Sequence, residues 1–190
     1  MEIVWSITAL FIVSQVLQFL GYIAQNATYV TKRRTYILTA NIIAVGFAMG
    51  GFATLGAWAG FWMLGLSISR SIAFLAYEIF TKGQSRTRHF ETGVLGLVVI
   101  GAILITAFTY DTWHDLFPFF SVIIASIGLW QRNVKLYRVI AIPMTLLWLV
   151  YMVMVGSLVG IIFESISLGV VITSVILYKK SVDNLTTDGV

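Results

Sequence analysis

The sequence predicts an all-α integral membrane protein with seven transmembrane helices. Three observations predict it: a composition too apolar for a soluble domain, seven apolar runs of spanning length, and basic residues confined to alternate loops. Of 190 residues, 59% are hydrophobic and 11% charged, whereas soluble domains carry about a quarter charged residues. Mean hydropathy is +0.94. With no cysteine, disulfides, thiol chemistry and cysteine metal sites are excluded. The N-terminal MEIVWSITALF starts with an acid and lacks a basic n-region, so it reads as a first helix and not as a cleavable signal. The net charge of +4 reflects loop bias, and the expected partner is the lipid bilayer, with no nucleic acid.

A bilayer core of about 30 Å takes about 20 apolar residues per helix. The runs fall at about residues 4–29, 36–55, 58–80, 91–109, 116–131, 136–155 and 158–178. Lipid cannot satisfy an open sheet edge, and the alternation of a transmembrane barrel is missing. Between the helices come TKRRT, the neutral GAWAG, TKGQSRTRHF, the acidic YDTWHD, QRNVKLYR, the neutral VGS and YKKSVDN. Eleven of the twelve Lys and Arg residues therefore gather at one end of the bundle. Positive residues stay cytoplasmic, which predicts an N-out, C-in topology.

An internal repeat is the next expectation. GAWAG (Gly56–Gly60) and GSLVG (Gly156–Gly160) lie 100 residues apart, and at that offset Lys32 falls opposite Arg132. Three helices and a basic loop recur, with the fourth helix as an extra crossing. An odd linker leaves both triplets in one orientation, a 3+1+3 design of parallel repeats. The units are 1–82 for the first triple-helix bundle and 83–112 for the cytoplasmic loop and linker helix. Residues 113–180 form the second bundle and 181–190 a cytoplasmic tail.

Arg70 reads as the one basic residue inside a span and Glu164 as the one acid. Intramembrane charges cost several kcal/mol and face a bundle interior or a watery cavity. Helical side chains lean toward the helix N-terminus, so Arg70 leans away from the nearer, cytoplasmic surface. At the repeat offset Arg70 matches position 170, which sets it about 9 Å from the depth of Glu164. Either the two form a buried ion pair, or each separately lines a polar cavity.

Gln15, Gln18, Gln25 and Asn26 mark helix one with a polar stripe, and Asn41 marks helix two. Such residues line a pathway or bond helices together. Ser67, three residues before Arg70, is placed to bond the guanidinium, while Ser71 points elsewhere. Trp148 and Tyr151 stand at i and i+3 on helix six, as a stacking pair for a planar ligand or as core packing. Pro143 is expected to kink that helix. Gly46, Gly50 and Gly51 suit close contact of the small-xxx-small kind. His114 between Asp111 and Asp115 is a weak metal signal, so no metal is expected. No P-loop, HExxH or GxSxG pattern occurs, so neither enzyme chemistry nor a cofactor is expected.

LFPFFSVIIASIGLW, followed by WLVYMVMVGSLVGIIFESISLGVVITSVILYKK, resembles the bacterial inner-membrane family called YgjV. That family has a Gly-Ser loop followed by an intramembrane Glu, onto which Glu164 falls. Arg70 falls on an Arg of the family's third helix, and Ser67 stands where the family has Asn. The resemblance implies the inner membrane and no particular activity. A more distant architectural likeness is to the SWEET, PQ-loop and PnuC transporters, built from two triple-helix bundles around a substrate. The Pro-Gln pair is missing here, with Gln18 and Pro118 merely at equivalent repeat positions. The nearest match to the Trp-x-x-Trp of PnuC proteins is Trp148-Leu-Val-Tyr151.

Three functions follow as expectations. The first is a small-molecule transporter or facilitator with a site between the bundles formed by Arg70, Glu164, Gln18, Asn41, Ser67, Trp148 and Tyr151. The second is a sensor; retinal attachment is excluded because the only lysines near helix seven, Lys179 and Lys180, lie at its end. The third is a structural or assembly protein in which Arg70 and Glu164 are a stabilising pair. A homo-oligomer is compatible with each.

Overall fold

The computed structural model describes residues 2–81, 88–131 and 133–187, with side chains described for 9–81, 88–131 and 133–177. Among these residues the chain is helical, without strands. The helices are α1 Glu2–Val30, α2 Arg34–Leu55, α3 Trp58–Phe80, α4 His89–Thr109, α5 Leu116–Trp130, α6 Val134–Val155 and α7 Leu158–Thr187. The expected boundaries lie within two residues of these except at the far end of α7, which continues nine residues beyond the expected stop at 178. A 3-10 turn, Trp113–Asp115, precedes α5 and was not foreseen. Part of the TKGQSRTRHF loop lies outside the described residues.

Each helix closes its own backbone hydrogen bonds, as hydrocarbon requires. Among the described residues, six helices are long and apolar enough to cross a membrane: α2, α3, α4, α5 with its preceding turn, α6 and α7. The described part of α1 falls outside that set. Its outward side chains nevertheless include Leu10, Phe11, Ile12, Val16 and Ile23, all exposed. α4 buries only Glu91, Val98 and Ala102 and turns Leu97, Ile100, Leu104 and Phe108 outward. In water these would be a liability; against acyl chains they are solvated.

α2 packs between α1 and α3, and α6 between α5 and α7. α4 lies on α3 and α5, while α1 against α7 and α3 against α5 join the two sets. Positions 100 apart behave alike. α2 buries residues 37, 38, 41, 44, 45, 51 and 52, and α6 buries 137, 138, 141, 144, 145, 151 and 152. Both helices end in a left-handed glycine, Gly56 at φ 71° and Gly156 at φ 73°, a conformation that only glycine adopts cheaply. Gly21 approaches α2 so closely that a Cβ there would stand 2.9 Å from the Ala44 carbonyl oxygen. One hundred residues on, the Ser121 hydroxyl donates to the Met144 carbonyl at 3.3 Å. The same helix crossing is thus made twice, once through a missing side chain and once through a hydrogen bond.

Of the expected glycine contacts, Gly51 packs against Gln18 and Ser14, and Gly50 against Leu17. Gly46 faces open space, and Gly21 takes the role expected of it. α6 runs through Pro143 as one continuous helix.

Candidate functional site

A cavity of about 80 Å³ lies between the two halves of the chain. Both halves line it, and repeatedly at equivalent positions: Tyr22 and Val122, Gln25 and Ala125, Ala44 and Met144. Ala48 and Trp148, Phe52 and Met152, and Leu64 and Glu164 continue the series. Of the expected site residues, Arg70, Glu164, Gln18, Asn41, Ser67 and Trp148 all line it. Tyr151 does not. It lies beside the cavity wall, with its ring 5.9 Å from Phe52 and 5.7 Å from Trp148, and its hydroxyl end against Gly60. The two rings therefore serve different purposes, Trp148 as wall and Tyr151 as packing behind it.

Arg70 is 2% exposed. Its Nη1 donates to the Ser126 hydroxyl at 2.7 Å and to the Val122 carbonyl at 3.4 Å. Both acceptors are on α5, so the guanidinium reaches across from one half of the chain to the other. Ser126 takes the role expected of Ser67, because an Arg side chain leaves α3 toward the neighbouring helix and not along its own. Ser71 does point elsewhere: its hydroxyl donates to Asn41 Oδ1 at 2.8 Å, which leaves the Asn41 amide as a donor on the cavity wall.

Glu164, 8% exposed, has the Tyr22 hydroxyl directed at its carboxyl group. Among the described residues the ion pairs are those of Arg34 with Glu78 and Glu91. The alternative of a buried Arg70–Glu164 pair is therefore corrected. With Arg70 drawn to α5, the two side chains line one cavity without meeting.

Gln18 is held at both ends. Its Nε2 donates to Ser14 at 3.2 Å, and its Oε1 accepts from Ser157 at 2.9 Å. Ser14 donates on to the Gly51 carbonyl, so this chain ties α1 to α2 and to the turn before α7. Gln25 donates to the Tyr29 hydroxyl at 2.8 Å, and Asn26 to the Tyr22 carbonyl of its own helix. The polar stripe of α1 is thus partly wall and partly glue.

Two apolar clusters bracket the cavity. Toward the glycine loops lie Phe52, Leu64, Tyr151 and Met152. Toward the basic loops lie Tyr29, Ile37, Leu129 and Tyr137, tied across the halves by Tyr29 to Thr145 and Tyr137 to Thr28. At that end Arg34 joins α2 to three other helices. It forms ion pairs with Glu91 at 2.9 Å and Glu78 at 3.4 Å and donates to the Leu129 carbonyl at 3.0 Å. Arg138 of α6 donates to the Val30 and Thr31 carbonyls that end α1. Cations are favoured at helix C-termini, and here each half supplies one to the other. Glu78, Glu91 and Arg138 are thus further charges within helices, missed because they lie near the helix ends.

Asp115 caps its own turn through Thr112, and His114 bonds the same threonine at 2.8 Å. Among the described residues, three metal-ligating side chains are nowhere brought together.

A bundle of apolar helices, clothed in exposed Leu, Ile and Phe and hollowed around two ionisable side chains, defines an integral membrane protein with an internal polar site. Within that class the family is shown: the profile of Imp-YgjV, described as a bacterial inner membrane protein, matches residues 12–181. The chain belongs to this family and resides in the bacterial inner membrane. No curated protein and no solved structure matches it.

Proposed function

We propose that the protein is a small-molecule transporter or facilitator, with substrate bound near the bilayer midplane between α1–α3 and α5–α7. These two triplets act as parallel repeats joined by α4, with the N-terminus outside and the basic loops in the cytoplasm. One observation carries the reading: a single cavity lined by six pairs of residues at the repeat offset, with Arg70 and Glu164 on its wall. Parallel repeats that share a midplane site suit alternating access by rocking of one repeat against the other. The outer closure is then Phe52 with Met152 and Tyr151, and the inner closure is Tyr29 with Tyr137 and Leu129. Each apolar cluster opens as the other tightens. The likeness to SWEET, PQ-loop and PnuC transporters is one of architecture and supplies no substrate.

The reading involves passage and no covalent chemistry. The structural alternative depended on Arg70 and Glu164 stabilising one another, a contact they do not make. Uptake into proteoliposomes across a panel of labelled metabolites tests the proposal. Saturable uptake that Arg70→Gln or Glu164→Gln reduces supports it. Flat uptake for every compound, from correctly inserted protein, overturns it.

A further inference from the structure

An arginine and a glutamate line one small cavity, and among the described residues neither has an ionic partner. Arg70 is buried, and its guanidinium does not shed its proton in proteins. Ser126 and the Val122 carbonyl engage Nη1 alone, and Nε lacks a hydrogen-bond partner. Glu164, also buried, has the neutral Tyr22 hydroxyl at its carboxyl group. Buried charges ordinarily pair with each other or with something bound. Here the site holds both halves of a pairing, set apart.

Resting on the transport reading above, we propose that the cavity binds a small zwitterion, its anionic group against Arg70 and its ammonium against Glu164. The neutral groups divide accordingly. Asn41 has its Oδ1 occupied by Ser71 and so presents an N–H donor on the wall that it shares with Arg70 and Ser67. That is the polarity an oxyanion requires. Tyr22, which meets Glu164, lines the cavity with Phe52 and Trp148, and aromatic rings favour an ammonium or quaternary ammonium group. A lone anion would leave Glu164 unanswered, and a lone cation would leave Arg70 so.

Size narrows the class further. At about 10–15 Å³ for each water-sized group, the cavity of about 80 Å³ admits about five to eight non-hydrogen atoms. Small amino acids and betaines are of this size. The sequence offset of about 9 Å in depth between the two residues suits charges separated by a few bonds.

Binding by the full-length protein in nanodiscs tests this without requiring a variant to fold. The probes are glycine, β-alanine, 4-aminobutyrate and glycine betaine, against propionate and propylamine as single-charge controls. At least one zwitterion is expected to bind about tenfold or more tightly than either control. Arg70→Gln is expected to remove that advantage while leaving propylamine within about threefold, and Glu164→Gln to do the same while sparing propionate. Propionate or propylamine binding as tightly as every zwitterion overturns the inference. So does saturable uptake of an uncharged or singly charged metabolite with no zwitterion bound, which leaves transport standing. Neither binding nor uptake of any compound removes both readings.

Discussion

Leu64 and Glu164 occupy equivalent places 100 residues apart, four residues after Gly60 and Gly160, and both line the same cavity. An apolar side chain in one half thus stands where the other half carries a carboxyl group. The two positions match in spacing but not in chemistry, so the carboxyl group gives the cavity lining a polarity that the Leu64 position lacks.

Glu164→Leu is predicted to lower uptake by about tenfold or more, with normal membrane insertion. Adding Leu64→Glu returns the carboxyl to the equivalent place and should recover part of the loss. Uptake unaffected by Glu164→Leu would remove the carboxyl from the mechanism.

Ser126→Ala takes from Arg70 its shortest hydrogen bond, at 2.7 Å. A loss of about 1–3 kcal/mol in thermal stability is expected, together with a raised KM for uptake. Ser67→Ala, which removes no bond to the guanidinium, should have a smaller effect on both. Equal effects of the two serines would contradict this placement of Arg70.

Gly21→Ala brings a methyl group 2.9 Å from the Ala44 carbonyl, which forces α1 and α2 apart. A cost of about 1–3 kcal/mol is expected, read as a lower unfolding temperature in detergent. At Gly46 a Cβ meets nothing within 4 Å, so Gly46→Ala should be neutral or mildly stabilising. Reversal of that order would mean that the α1–α2 crossing is drawn incorrectly.

Gly56→Ala and Gly156→Ala each place a Cβ on a left-handed residue, at φ 71° and 73°. Each should cost about 1–2 kcal/mol, and by similar amounts, since the two turns are alike. Circular-dichroism melts of the two variants make the comparison. Unequal losses would argue against equivalence of the halves at this point.

Arg34→Gln removes the contacts with Glu78, Glu91 and the Leu129 carbonyl together. Glu91 is 0% exposed, so losing this cation should destabilise by about 1–3 kcal/mol, and adding Glu91→Gln should recover part of it. A double variant no better than Arg34→Gln alone would show that the pair is not coupled.

The resemblance noted from the GS…E run led to the family, and Glu164 and Arg70 stood out because charge within apolar runs is conspicuous. Asn41 and Gln18 were visible for the same reason. Ser126 was not: serine is unremarkable in a membrane helix, and only its position opposite Arg70 gives it work. Tyr22, Phe52 and Met152 looked like ordinary apolar or interfacial residues. The repeat offset was the one signal available for them, since position 164 pointed back to 64 and position 148 to 48.

By itself the sequence determined that the chain lives in a membrane and, the far end of α7 apart, where its helices begin and end. These are local matters: hydrocarbon admits only uninterrupted apolar helices, and each satisfies its own backbone. Tertiary structure decided which way each helix is turned. That rotation drew Arg70 to Ser126 instead of Glu164, turned Tyr151 away from the cavity, and set Arg34 against Glu91. Such pairings join residues tens of positions apart through close packing, and hydropathy carries no record of them.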